Sequence, residues 1–148
     1  MSQTSTDIII EYLTTGLLEY DLNFTLLRMN RASERILGVP RTEVVGRKIL
    51  PEHIARPSIA SLASVTYPAL NPNTLTLKSE DKDSMLHELA IASPVERTLQ
   101  VSTATIPGPD GNPARVVKII RDITREKLLA RQKSEFIYID AHKMRTPL

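Results

Sequence analysis

The chain has 148 residues, 41% of them hydrophobic and 24% charged, a formal net charge of +2 and no cysteine. This composition fits one globular domain with an appendage, and it excludes a wholly disordered chain. The missing thiols exclude disulfides, thiolate metal sites and cysteine nucleophiles.

The opening "MSQTSTDIII" lacks the basic region and the long apolar run of a secretory signal. "TDIIIEYL" reads as a short helix that Thr6 or Asp7 can cap, with Glu11 in its first turns. Two apolar, β-favouring runs follow, "GLLEY" and "FTLLRM". They are separated by Asp21-Leu22-Asn23, which predicts a β-hairpin. At "NRASERILG" the period changes from two to about 3.6. Asn30 is suited to cap a helix there and Gly38 to end it. "VPRTEVVGRKI" predicts a second short helix, capped by Thr42 and stopped by Gly46. A third is expected after Pro57, with Ile59, Leu62, Ala63 and Tyr67 turned inward. The stretch "PALNPNTLTLKSEDKDSM" is read as irregular, exposed chain because of its prolines and charges.

Strand patterning returns in "HELAIAS", "RTLQVSTATI" and "ARVVKIIRD", with "PGPDGNP" as a hairpin loop between the last two. From Asp122 to the end the sequence reads as helix. Leu129, Phe136 and Ile139 lie on a heptad-like seam in which Gln132 is the weak member. This tail is basic: residues 112–148 carry 9 basic and 4 acidic side chains, against 10 and 13 in residues 1–111. A solvated helix face accounts for that charge. The absence of basic–aromatic interleaving and of any DNA-reading motif argues against a nucleic-acid binder. No run of about 18 apolar residues spans a bilayer, so a cytoplasmic location is expected. Two strands, three small helices and three further strands predict an α+β fold with an antiparallel sheet.

These segments, in this order, resemble a PAS domain. "GLLEYDLNFTLLRMNRASERILGVPRTEVVGRKI" is similar to its front half. "IPGPDGNPARVVKIIRDITREK" is similar to its back half, with "RDIT" marking the exit into a signalling helix. The resemblance implies a five-stranded antiparallel sheet with small helices on one face, an N-terminal helix and a C-terminal signalling or coiled-coil helix. The expected boundaries are an N-terminal helix at 1–13, a PAS domain at 14–124, and a signalling helix running into a dimerisation helix at 125–148.

The final "AHKMRTPL" resembles the H-box of sensor histidine kinases, usually His-Glu-Leu-Arg-Thr-Pro-Leu, with "KSEFI" upstream as in that family. The resemblance implies that His142 accepts a phosphoryl group and that Thr146 positions water for dephosphorylating a response regulator. It also implies that the chain stops inside the next domain, before an ATP-binding domain. An imidazole with its ordinary pKa near 6.5 is mostly neutral at cytosolic pH, as this chemistry requires. On a helix His142 shares a face with Tyr138 and Thr146. Pro147 lacks an N–H and crowds the carbonyl of Lys143, which bends the helix there. Lys143 departs from the family pattern, which places a proton-accepting acidic residue after the histidine; an ammonium donates and cannot accept. The expected partners are a second copy through the N- and C-terminal helices, a response-regulator receiver domain and the ATP-binding domain. The alternative is a non-enzymatic PAS interaction module with a degenerate H-box.

No metal site is expected, and no cofactor is implied in this stretch; ATP and magnesium belong to the full-length kinase. Flavin chemistry through a cysteinyl adduct is excluded. Haem would need an axial ligand, for which His53 and His87 are the candidates. The plainer readings are that His53 caps a turn or faces water, and that His87, beside Glu88, joins a cross-strand polar pair. An aromatic share of 4% with no tryptophan argues against a cage for a cationic ligand. A small apolar ligand and an empty, well-packed core both remain open.

Overall fold

A computed structural model describes residues 5–77 and 84–145, and the side chains among them except those of residue 7 and residues 138–145. The elements in chain order are α1 (Ser5–Tyr12), β1 (Gly16–Asp21), β2 (Leu26–Met29), α2 (Arg31–Leu37), α3 (Arg41–Val44), α4 (Ala60–Thr66), β3 (Leu75–Leu77), β4 (Ser84–Ile91), β5 (Arg97–Pro107), β6 (Pro113–Asp122) and α5 (Thr124–Arg145). Short 3-10 turns occupy Pro51–Ala55 and Pro68–Leu70.

The strands form one antiparallel sheet in the order β2-β1-β6-β5-β4-β3. The α+β reading therefore holds, with one strand more than expected. Leu75–Leu77 pairs with Leu86–Glu88 inside the stretch read as irregular. Three residues are too few to show a period, and the neighbouring prolines mask them. The rest of the "KSEDKD" segment, residues 78–83, lies outside the described residues.

The turn between β1 and β2 is built by Asp21. Its Oδ1 accepts the N–H groups of Asn23 and Thr25, both at 2.9 Å. Those bonds, the one to Thr25 foremost, hold the carboxyl below its usual range. Phe24 adopts φ +62°, unusual without glycine. Its ring packs 5.8 Å from that of Tyr20 and 5.2 Å from that of Tyr67. Burial of those rings offsets the local strain.

α2 begins and ends as its sequence predicts. The Asn30 side chain caps it by accepting the N–H of Ser33 at 3.0 Å. Gly38 ends it in the left-handed region, φ +67°. A Cβ on Gly38 would lie 2.6 Å from Cγ of Pro94, so both backbone and packing demand glycine. α3 departs from expectation: Pro40 precedes it without a side-chain cap, and Thr42 lies inside the helix. Proline preorganises a helix entry by its fixed φ and competes with a hydroxyl cap.

The core lies between one sheet face and α2–α4. Leu18, Tyr20, Leu89, Leu99, Val101 and Ile120 from the sheet meet Ile36, Leu37, Val44, Leu62 and Val65 from the helical side. The Tyr20 hydroxyl is satisfied inside the core by Thr66 Oγ1 at 2.8 Å.

Asn30 also ties the front of the domain together. Its Oδ1 accepts from Leu17 N at 2.9 Å, and its Nδ2 donates to the carbonyls of Ile10 and Thr15, both at 3.0 Å. One buried amide thus joins α1, β1 and α2. Arg41 adds a clamp, with its guanidinium on Glu11 of α1 and on Glu34 of α2 at 2.7 Å. Replacing Asn30 by alanine leaves the N–H groups of Leu17 and Ser33 without this acceptor, and the Thr15 carbonyl without this donor. It is expected to destabilise the fold by about 2–4 kcal/mol in urea unfolding. A loss below about 1 kcal/mol would show that these groups find other partners.

Candidate functional site

Two places in this fold carry chemistry that core packing does not use. The first is a polar cluster on the inner face of the sheet. Across an antiparallel ladder, directly opposed residues point to the same side. β1 and β6 pair Leu18 with Lys118, β6 and β5 pair Lys118 with Thr103, and β5 and β4 pair Thr103 with Met85. Leu18 belongs to the core, so Lys118 points inward as well. The next row holds Ile120, Val101, His87 and Thr76.

Lys118 is only 3% exposed. Its Nζ donates to Thr103 Oγ1 at 3.0 Å. Among the described residues no carboxylate pairs with it. An ammonium taken out of water without a counter-charge is strongly disfavoured. Burial accordingly lowers its pKa from 10.5 to about 8. His87 is 8% exposed, and its Nδ1 has no hydrogen-bond partner. Burial first, and the Lys118 charge second, lower its pKa below the usual 6.5. The cross-strand polar pair expected of His87 does not form through Nδ1; the residues opposite it are Val101 and Thr76. Consecutive residues of a strand point to opposite faces, so Glu88 meets Lys127 of α5 instead, at 2.7 Å. His53 behaves as its plainer reading expects, with Nδ1 accepting the Leu50 N–H at 2.9 Å.

The second place is the exit from β6 into α5. Asp122 Oδ1 accepts the N–H of Thr124 at 3.0 Å as well as its hydroxyl, and Oδ2 takes Arg97 Nη1 at 2.6 Å. Burial alone would raise the Asp122 carboxyl; the bonds from Thr124 and Arg97 outweigh it and hold the pKa below the usual value. Thr124 Oγ1 accepts from Thr98 N at 3.0 Å, and Ile123 N donates to Thr98 O at 2.9 Å. The first turn of α5 is thereby fastened to the start of β5. From Arg125 to Ile137 the helix is exposed on every side, including Leu128, Leu129, Phe136 and Ile137. His142 and Lys143 lie in its last turn. At 1.5 Å per residue, His142 stands about 27 Å along the helix from Thr124. Thr146 and Pro147 lie outside the described residues, as do the side chains of Tyr138 and Ile139. No helix among the described residues is long and apolar enough to cross a membrane.

The model of the family described as PAS fold matches residues 11–128, and the chain belongs to that family. Among solved structures, the PAS domain of Bordetella pertussis BvgS is 15% identical, with a TM-score of 0.60 over 88% of this chain and 91% of that one. An RNA-binding Light-Oxygen-Voltage receptor is 14% identical, with a TM-score of 0.61 over 99% of this chain and 42% of that one. At such identities the likeness is one of fold. A curated relative, Drug sensory protein A of Synechocystis sp., is 26% identical over 156 residues. That alignment covers 96% of this chain and 23% of the relative, so the chain spans about a quarter of that protein. The family establishes a sensory PAS domain.

The sequence reading passed over Lys118. The available signal was its place in "RVVKIIRD", where alternation puts a lysine on the same side as Val116 and Ile120. The depressed pKa gives a stability signature. Between about pH 8 and 10 the unfolded chain keeps the lysine proton that the folded chain releases, so stability rises with pH. The shift corresponds to about 2–3 kcal/mol across that window. Tyr20, whose ionisation burial suppresses, opposes this trend only near and above pH 10. Lys118→Met is expected to raise the thermal midpoint at pH 7 and to flatten the slope between pH 8 and 10. An unchanged slope in the variant would assign the effect elsewhere.

Proposed function

We propose that this chain is the sensory and dimerising part of a sensor histidine kinase. In this reading its PAS domain governs autophosphorylation of His142 and transfer to a response-regulator aspartate. The observation that carries the reading is the fastened exit at Asp122–Thr124, followed by a helix whose described side chains from Arg125 to Ile137 are all exposed, with the Lys127–Glu88 pair near its start. A helix exposed all round gains little from its own domain and is stabilised by packing against another helix. Leu129, Gln132, Phe136 and Ile139 follow one another at spacings of three, four and three residues, the seam of a two-stranded coil. In that register residue 142 flanks the seam. Apolar residues on α1 (Ile9 is 61% and Tyr12 71% exposed) give the second copy a further surface. The curated relative, itself named as a sensory protein and far longer, is consistent with a sensory segment inside a larger chain.

A change in the sheet would reach α5 through the Asp122 knot and alter how two such helices pack, a two-state device of the kind signalling proteins use. Lys143 favours the second reading, a PAS interaction module with a degenerate H-box. No acidic group follows His142 to accept its proton.

The kinase that carries this chain, incubated with γ-labelled ATP, is expected to take up acid-labile phosphate that His142→Ala abolishes. Lys143→Glu is expected to speed that uptake several-fold by supplying the acceptor. Absence of label, with ATP bound, would support the interaction module. In sedimentation of the 148-residue chain, a dimer is expected that Leu129→Glu with Phe136→Glu converts to monomer.

A further inference from the structure

The PAS fold explains why the sheet has an inner face; it does not explain why that face buries a cation. Lys118 has one neutral partner, Thr103, and His87 has a ring nitrogen with none. Both side chains are more than nine-tenths buried. A core of this size gains by placing methionine or leucine at such a position, because a lone buried charge opposes folding. The group is better understood as one held ready for a counter-charge that the protein does not itself supply among its described residues.

The surroundings indicate how that counter-charge would enter. The row that holds Lys118 and Thr103 runs outward to Met85, which is 53% exposed. On the next row Thr105 is exposed and Val116 half-buried. The inner face therefore changes from closed core at Leu18 to open surface at Met85 within one row of residues. Lys118 lies at that boundary, with donors to one side and apolar side chains around it.

We propose that the Lys118–Thr103–His87 cluster is a binding site for a small organic monocarboxylate. The ammonium, the Thr103 hydroxyl and an N–H of His87 supply donors to a carboxylate, and Met85 and Val116 accept its aliphatic or aromatic part. Lys118 brings one positive charge and His87 is kept neutral, so a single negative charge is matched. A phosphate dianion would leave one charge uncompensated in a low-dielectric site. This deepens the sensory reading by naming the class of input, and rests on it only for the effect at α5. Binding would relieve the buried charge and so shift the balance between two packings of the sheet.

The test uses the 148-residue chain and four probes, butyrate, benzoate, inorganic phosphate and chloride, at matched ionic strength. Calorimetric titration and thermal midpoints are read for wild type, Lys118→Met, Thr103→Val and His87→Gln. The expected result is saturable binding of butyrate or benzoate, with a raised midpoint. Affinity should fall about ten-fold or more in Lys118→Met and less in the other two variants. Lys118→Met is expected to fold at least as well as wild type, and its own thermal midpoint separates a loss of binding from a loss of structure. Binding unchanged in Lys118→Met, binding of phosphate alone, or no binding of either carboxylate would each overturn the proposal. Phosphorylation of His142 is a separate readout, so failure here leaves the kinase reading standing, and failure there leaves the site standing.

Discussion

Asp122 holds three donors at once, from the backbone and hydroxyl of Thr124 and from the guanidinium of Arg97. Everything downstream depends on that knot. A helix joined to a sheet by a free linker would carry no orientation from one to the other. Here the direction of α5 is set before its first turn is complete, because Ile123 and Thr124 are also bonded to Thr98 on the neighbouring strand. The Lys127–Glu88 pair lends a further point of attachment to β4, half exposed on the lysine side and of modest strength. The start of α5 is therefore tied to β4, β5 and β6 together.

The entry of the chain into the domain follows the same principle with different chemistry. Asn30 uses both halves of its amide to bind α1, β1 and α2, and Arg41 reaches across from α3 to Glu11. β1 and β6 are neighbours in the sheet, so the segment that enters the domain and the segment that leaves it are fixed to adjacent strands. The two terminal helices are thus mechanically close although they are far apart in sequence. Both present apolar side chains to solvent.

Most of the architecture could be read from the chain because its punctuation is strong. Asn30 and Gly38 bracket α2 as capping chemistry demands. The Asp21 turn and the "PGPDGNP" loop separate strands of clear period. What escaped reading did so for identifiable reasons. β3 is too short to show alternation, and Pro40 displaced Thr42 from the helix entry. The polar cross-strand pair expected of His87 depends on which strands flank β4, and the register sets Val101 and Thr76 opposite it. Lys118 was invisible as a site because one strand cannot reveal which of its faces will be buried; only the register against Leu18 decides it. The terminal motif is a different case: the role of His142 rests on a resemblance alone, and the fold shows only that residue 142 lies on α5.

The strand order also governs the way the protein is made. β1 is the first strand of this sheet to be synthesised, yet one of its two neighbours, β6, is the last: Gly16 lies opposite Ile120. Such distant pairings must wait for the chain between them, and they slow closure of the sheet. Until β6 arrives, β1 and β2 form a hairpin with one unpaired side, open to pairing with other nascent chains. The same arrangement makes completion of the sensor domain and emergence of its output helix nearly a single event during synthesis. A chain that has not yet closed its sheet has no correctly anchored α5, because the bonds at Asp122 and Thr124 need β5 and β6 in place.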